Sequence, residues 1–227
     1  MVTTLECVPC LARQVVESVT MSTSDPVLRE RLVKTLLREI ADADWRESPV
    51  EVTQRMQRRV RSVTGNQDPY AALKAHMNRE ALEWRDGLAR AGAPKRDPRE
   101  AVVRLAIAGN LLDSGAKNRL EPDELPAMLE QIWEMPLVGS VDRLFEEANK
   151  ARHILYLADN AGEIVFDRLL VAALPTERVT VAVRGSPILN DATIADAEYA
   201  GLTNLVTVVD NGSDAPGTLL EETSDAF

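Results

Sequence analysis

Apolar positions recur at helical spacing through the first two thirds of the chain. After Asp25-Pro26 come Leu28, Leu32, Leu36, Leu37 and Ile40; after Ser48-Pro49 come Val52, Met56, Val60 and Val63. Both series place an apolar side chain every three or four residues, the period of one face of an α-helix. Asp68-Pro69 and Asp97-Pro98 repeat the punctuation: a capping side chain, then a proline suited to the first helical turn. Leu73, Met77 and Leu88 mark the buried face of the helix after Pro69, and the more apolar run from Glu100 to Leu112 predicts the most enclosed helix. Two more helices are expected, one after Pro122 and one over Val141 to Ala151. No fixed period relates these segments, so they are not a sequence repeat.

The pattern changes near residue 150. Ile154 to Ala158, Val179 to Val183 and Leu205 to Val209 are short, continuous apolar runs rich in β-branched residues. Such runs suit parallel strands buried on both faces. Between them lie helical stretches, Glu163 to Ala173 and Thr193 to Ala200. The order β-α-β-α-β predicts an α/β fold: a three-layer, Rossmann-like parallel sheet over residues 151–227, preceded by an all-helical domain over residues 1–150. In such sheets ligands lie beyond the carboxyl ends of the strands, so the polar residues after each run carry the functional argument.

Composition narrows the partners. The 227 residues are 45% hydrophobic but only 4% aromatic, so aliphatic side chains do most of the packing. A net charge of −10 argues against a nucleic-acid footprint, which needs clustered Lys and Arg, and against adhesion to an anionic membrane. Arg55, Arg58, Arg59 and Arg61 lie along one helical stretch and read as a solvated face. No run approaches the ~20 apolar residues that span a bilayer, and Met1 to Cys10 lacks the pattern of a secretory signal. The expectation is a soluble cytoplasmic protein. Its two cysteines, Cys7 and Cys10 in Cys-Val-Pro-Cys, allow a redox pair, an auxiliary metal clamp, a structural zinc half-site or an inert pair on a first helix.

The strand ends hold the candidate chemistry. Asp159-Asn160-Ala161-Gly162-Glu163 follows the first run; Arg184-Gly185-Ser186-Pro187 and then Asn190-Asp191 follow the second. Two carboxylates and an amide form an incomplete oxygen shell, the kind in which Mg²⁺ or Mn²⁺ shares its other positions with water and phosphate. Taken singly, each Asp or Asn serves equally as a cap or turn residue; together, at successive strand ends with an arginine between, they form a pattern. Other phosphate-handling motifs are absent. There is no Gly-x4-Gly-Lys-Ser/Thr loop, the first turn has one glycine where a dinucleotide fingerprint has three, and Ala161 stands where an Asp-x-Asp phosphatase has its second Asp.

Asp-Asn-Ala-Gly-Glu-Ile-Val-Phe-Asp at 159–167 and Arg-Gly-x-Pro-x-x-Asn-Asp at 184–191 resemble the damage-control phosphatases, also called domain of unknown function 89. The resemblance extends to Ala-x-x-Gly-Asn-x-x-Asp at 106–113, Asp-Pro-Tyr at 68–70 and the early Cys-x-x-Cys, a feature of the archaeal and bacterial subfamily. It implies a helical domain packed on a Rossmann-like one and metal-dependent hydrolysis of phosphomonoesters such as sugar phosphates or damaged phosphometabolites, supported by manganese, nickel, cobalt or magnesium. It implies that Asp159, Asn160 and Asp191 ligate the metal, with Asp159 also a candidate nucleophile or base. Asn110, Asp113 and Glu163 would face the substrate. Arg184 is added as a phosphate partner, the alternative being a salt bridge to a nearby carboxylate.

Family members continue past this point with further strands and a lysine-bearing loop, so a chain shortened at Phe227 is expected, the alternative being that another chain completes the sheet. Two other readings stand beside the enzyme. One is a module that binds metal and phosphometabolite without turnover. The other is a carboxyl methyltransferase, which the absence of a glycine-rich first loop disfavours.

Overall fold

The structure, a computed structural model, describes residues 2–92, 97–118, 131–225 and 227, and the side chains of these except 86–92 and 111–118. The helix expected after Pro122 and the side chains of Leu88 and Asp113 lie outside the described residues. The helices are α1 (Cys7–Ser22), α2 (Pro26–Ala41), α3 (Pro49–Thr64), α4 (Ala71–Gly92), α5 (Pro98–Asn118) and α6 (Val141–Lys150), followed by β1 (Ile154–Leu157), α7 (Glu163–Ala173), β2 (Val179–Val183), α8 (Ile194–Ala200) and β3 (Thr207–Asp210). The chain is α/β, a helical part followed by a parallel sheet, as its patterning predicts.

Two compact units interleave along the chain. One comprises Met1–Ala72, Arg184–Asp191 and Asn211–Phe227; the other comprises Leu73–Val183 and Ala192–Asp210.

In the first unit, α1, α2 and α3 bury one stripe each: Leu11, Val15 and Val19; Leu32, Leu36 and Ile40; Val52, Met56 and Val60. Each such side chain, fully buried, contributes on the order of 1.5–3 kcal/mol. The helix starts follow the Asp-Pro and Ser-Pro signals. Asp25 accepts from the Val27 N–H at 2.9 Å, and Ser48 and Glu51 form a reciprocal capping box. Leu37 and Val63, expected on the buried stripes, are instead exposed, because the stripe on each helix is narrower than the apolar series suggests. The arginines of α3 are also more than a solvated face. Arg55 pairs with Glu47 at 2.9 Å, and Arg58 with Asp214 at 2.6 Å; Arg61, mostly buried, also pairs with Asp214.

In the second unit the sheet order is β1-β2-β3, parallel throughout. Ile154 is in register with Val179, and Thr180 with Thr207. Val179, Val181 and Val183 of β2 join Ile164, Val165, Phe166 and Val171 of α7 in one core with Leu105 and Ala108 of α5. α5 and α7 touch closely: a Cβ on Gly109 would lie 3.2 Å from the Glu163 Cα and 3.2 Å from the Phe166 Cβ. β1 is not buried on both faces. Its residues alternate, and Leu155 and Leu157 are more than half exposed, because nothing among the described residues covers that face of the edge strand.

Candidate metal centre

β1 ends at Leu157, and the Ala158 N–H still donates to the Ala182 carbonyl at 3.0 Å, so the chain leaves the sheet at Asp159. It then turns at once. Gly162 has φ +82°, and a Cβ there would lie 3.2 Å from the Met77 Cβ; glycine meets both demands. The Ile164 N–H donates to the Asn160 carbonyl at 3.1 Å and starts α7. Asp159, Asn160 and Glu163 are thereby gathered within one turn at the carboxyl end of β1.

Asp159 is exposed and Asn160 buried. The Asn160 amide nitrogen donates to Glu163 Oε2 at 3.3 Å, which turns the amide oxygen away from Glu163. Asn110 is the residue after Gly109, whose backbone packs on Glu163, and it is exposed. Asp113 lies one helical turn further along α5, its side chain outside the described residues.

Below the turn, buried Asp167 accepts a hydrogen bond from the Tyr156 hydroxyl at 2.6 Å. Burial pushes its pKa up to about 7, the tyrosine works the other way, and the charges of Glu163 and Asp159 add to the rise. Burial is the main cause, and the carboxylates at the end of β1 add to it.

The loop after β2 belongs to the first unit. Arg184 Nε donates to Asp191 Oδ2 at 2.7 Å, both side chains mostly buried. Of the two roles expected for Arg184, the salt bridge is thus present, and its partner is Asp191. Leu189 has φ +46°, a left-handed conformation unusual for a bulky residue, in the turn that delivers Asn190 and Asp191. The next residue, Ala192, belongs to the second unit, and its N–H donates to the Asp159 carbonyl at 2.7 Å. The peptide bond keeps the Cα of Asp191 about 3.8 Å from that of Ala192.

Patterning missed four residues. Asn78 and Asp196 form buried hydrogen bonds around Gly162 and the start of α8. After β3, the buried Asn211 side chain accepts from the Gly185 and Ser213 N–H groups, each at 3.0 Å. Asp214 gathers Arg58, Arg61 and Gln54. The Asn211-Gly212 dipeptide at a third strand end was the signal available for the last two. Asn78 has none, since it looks like an ordinary helix residue; for Asp196 the signal was the Thr193-x-x-Asp196 capping box at the start of α8.

No group of three or more His, Cys, Asp and Glu side chains converges among the described residues. The residue types suit a hard cation all the same: Asp159 and Asn160 at the end of β1, and separately Asp191 in the loop after β2, carry the carboxylate and amide oxygens that Mg²⁺ and Mn²⁺ take together with water. Cys7 and Cys10 lie on α1 without a disulfide between them. No described helix is long and apolar enough to cross a membrane.

Known proteins agree with the motifs. The family profile described as "Damage-control phosphatase ARMT1-like domain" matches residues 3–227. A protein of Methanocaldococcus jannaschii is 33% identical over 98% of this chain and 75% of its own length. A damage-control phosphatase of Pyrococcus horikoshii is 31% identical over 98% of this chain and 77% of its length. The crystal structure of a DUF89 family protein from Pyrococcus horikoshii superposes with a TM-score of 0.87 at 29% identity, covering 100% of this chain and 79% of that one.

Proposed function

The chain belongs to the damage-control phosphatase ARMT1-like domain family, and on that premise we propose that it is a divalent-metal-dependent phosphatase of small phosphomonoesters, sugar phosphates or damaged phosphometabolites. Relatives from Archaeoglobus fulgidus and Pyrococcus horikoshii carry the name damage-control phosphatase. The observation that carries the proposal is the electronegative turn at the end of β1. Asp159, Asn160 and Glu163 sit there within one helical turn, and the charges of Glu163 and Asp159 add to the rise that burial produces in the pKa of Asp167 beneath them.

In this reading Asp159, Asn160 and Asp191 hold Mn²⁺, Mg²⁺, Ni²⁺ or Co²⁺. When bound, the cation polarises a phosphoryl oxygen and offsets the charge that develops during transfer. Asp159, exposed where the chain leaves the sheet, is the carboxylate that meets the phosphoryl group. Glu163 and Asn110 contact the rest of the substrate, with Asp113 one turn beyond, a reading supported by the close approach of α5 and α7 at Gly109. Arg184 binds phosphate, and its ion pair with Asp191 orients the guanidinium for that task.

The test is phosphate release from a generic phosphomonoester, with each cation and after chelation. Wild-type protein should lose activity with the chelator and regain it with Mn²⁺, and Asp159→Ala should fall at least about 100-fold in kcat/KM. Equal rates for wild type and Asp159→Ala would remove Asp159 from the mechanism. Activity indifferent to chelation would remove the metal.

A further inference from the structure

One buried amide on α4 reaches two connections of the sheet at once. Asn78 is 3% exposed, flanked on the same helix face by Lys74, Met77 and Ala81, all buried. Its Oδ1 accepts from the Gly162 N–H at 2.7 Å, and its Nδ2 donates to Asp196 Oδ1 at 2.8 Å. Gly162 closes the turn that carries Asp159 and Asn160. Asp196 closes the first turn of α8: its Oδ2 accepts from the Thr193 N–H and the Thr193 hydroxyl, each at 2.8 Å. Lys74 Nζ lies 3.4 Å from the same oxygen.

A buried polar network of this kind stabilises little over a well-packed apolar one and is costly when one member is missing. An apolar residue could fill the position of Asn78, as Met77 and Ala81 do beside it. What an apolar residue could not do is hold the backbone of one strand-end turn at a fixed distance from the cap of the next helix. No described buried side-chain polar atom is left unsatisfied, so the network is complete and has one set of partners.

We propose that Asn78 is a positioning residue for the metal centre: it locks the Asp159–Gly162 turn to the start of α8, the helix that begins three residues after Asp191. The inference rests on the reading of Asp159 and Asn160 as metal ligands. Asn78 touches neither metal nor substrate; it acts through the Gly162 N–H and the Asp196 carboxylate.

The experiment uses the full chain, stripped of metal. Mn²⁺ is titrated calorimetrically into wild type, Asn78→Leu, Asn78→Ser and the control Val179→Ala, which opens a cavity at the far end of β2. Hydrogen exchange over residues 159–163 and Tm are measured on the same samples. Both Asn78 variants should lose Mn²⁺ affinity by roughly 10–100-fold and exchange faster over 159–163 before any metal is added. Val179→Ala should fall in Tm yet keep the wild-type Kd and exchange. Asn78→Ser, whose hydroxyl tolerates a bridging water, carries the test if Asn78→Leu does not fold. Affinity within twofold of wild type in the Asn78 variants, unchanged exchange, or an equal loss in Val179→Ala would each overturn the clamp. Wild-type protein that takes up no Mn²⁺ would overturn the metal reading itself, a result visible in the wild-type arm alone.

Discussion

Replacing Asp167 with Asn, in protein stripped of divalent cations, should raise stability at pH 8 relative to wild type and change it little near pH 4. The Asp167 carboxyl is buried, and its pKa rises from an ordinary 3.8 to about 7 in the folded chain. Between those values the folded state holds a proton that the unfolded state has released. Stability contributed by the protonated form is therefore fully present below about pH 4, falls as pH rises, and is lost once pH passes about 7. At about 1.4 kcal/mol for each pH unit, the whole span corresponds to about 4 kcal/mol, an upper estimate. An Asn at 167 keeps an oxygen to accept from the Tyr156 hydroxyl, 2.6 Å from the carboxylate in wild type, and has no proton to lose. The assay is urea unfolding of both proteins at several pH values from 4 to 8. It is followed by tryptophan fluorescence, since Trp84 and Trp133 pack against the core that contains α7. The difference in unfolding free energy should grow steadily from pH 4 and level off above about pH 7. A difference that stays constant to within about 1 kcal/mol would refute the assignment of a buried, proton-holding carboxyl at this place.

Two further substitutions probe the loops of the first unit. Gly185→Ala would place a Cβ 2.5 Å from the Gly212 backbone; the chain must shift, at about 1–3 kcal/mol or more, and thermal melting should show a fall of roughly 5 °C or more. Asp214→Ala removes the acceptor shared by Arg58, Arg61 and Gln54, leaving them only Glu222 and the Pro187 carbonyl, and should destabilise by about 1–3 kcal/mol, measured by urea midpoint at neutral pH. Burial opposes the Asp214 carboxylate, but Arg58, Gln54 and Arg61 hold its pKa below the ordinary 3.8. Its contribution is thus present above pH 3.8 and lost as pH falls through the lowered value, and the gap between wild type and Asp214→Ala should close in acid.

Much of this was legible in the chain. The spacing of Leu32, Leu36 and Ile40, and of Val52, Met56 and Val60, gave helix faces because burial on a 3.6-residue period leaves a local trace. Ser48 and Asp25 marked helix starts because a cap acts on its own neighbours. β2 could be read to the residue, since a central strand needs apolar side chains at nearly every position. Edge strand β1 could not: Leu155 and Leu157 are as apolar as any core residue, and exposure depends on what covers them, which no local pattern encodes. The strand-end carboxylates stood out because the fold class says where to look. Asn78 and Asp214 did not, since their partners lie 84 to 160 positions away in sequence. The change of grammar near residue 150 reports which elements form, whereas the two compact units report which elements touch.

That interleaving bears on how the protein is made. Helices α1, α2 and α3 leave a ribosome before the parallel sheet does, and domains generally fold from the amino end as they emerge. Yet Gln54, Arg58 and Arg61 on α3 wait for Asp214, and Gln54 and Arg58 for Glu222 as well. Only after the whole parallel sheet has been synthesised can the opening helices complete their polar contacts. Contacts of such long range slow folding. During translation Arg55 and Arg59 would already have Glu47 and Glu39 beside them, whereas Arg58 and Arg61 would have no acidic partner until Asp214 and Glu222 are made.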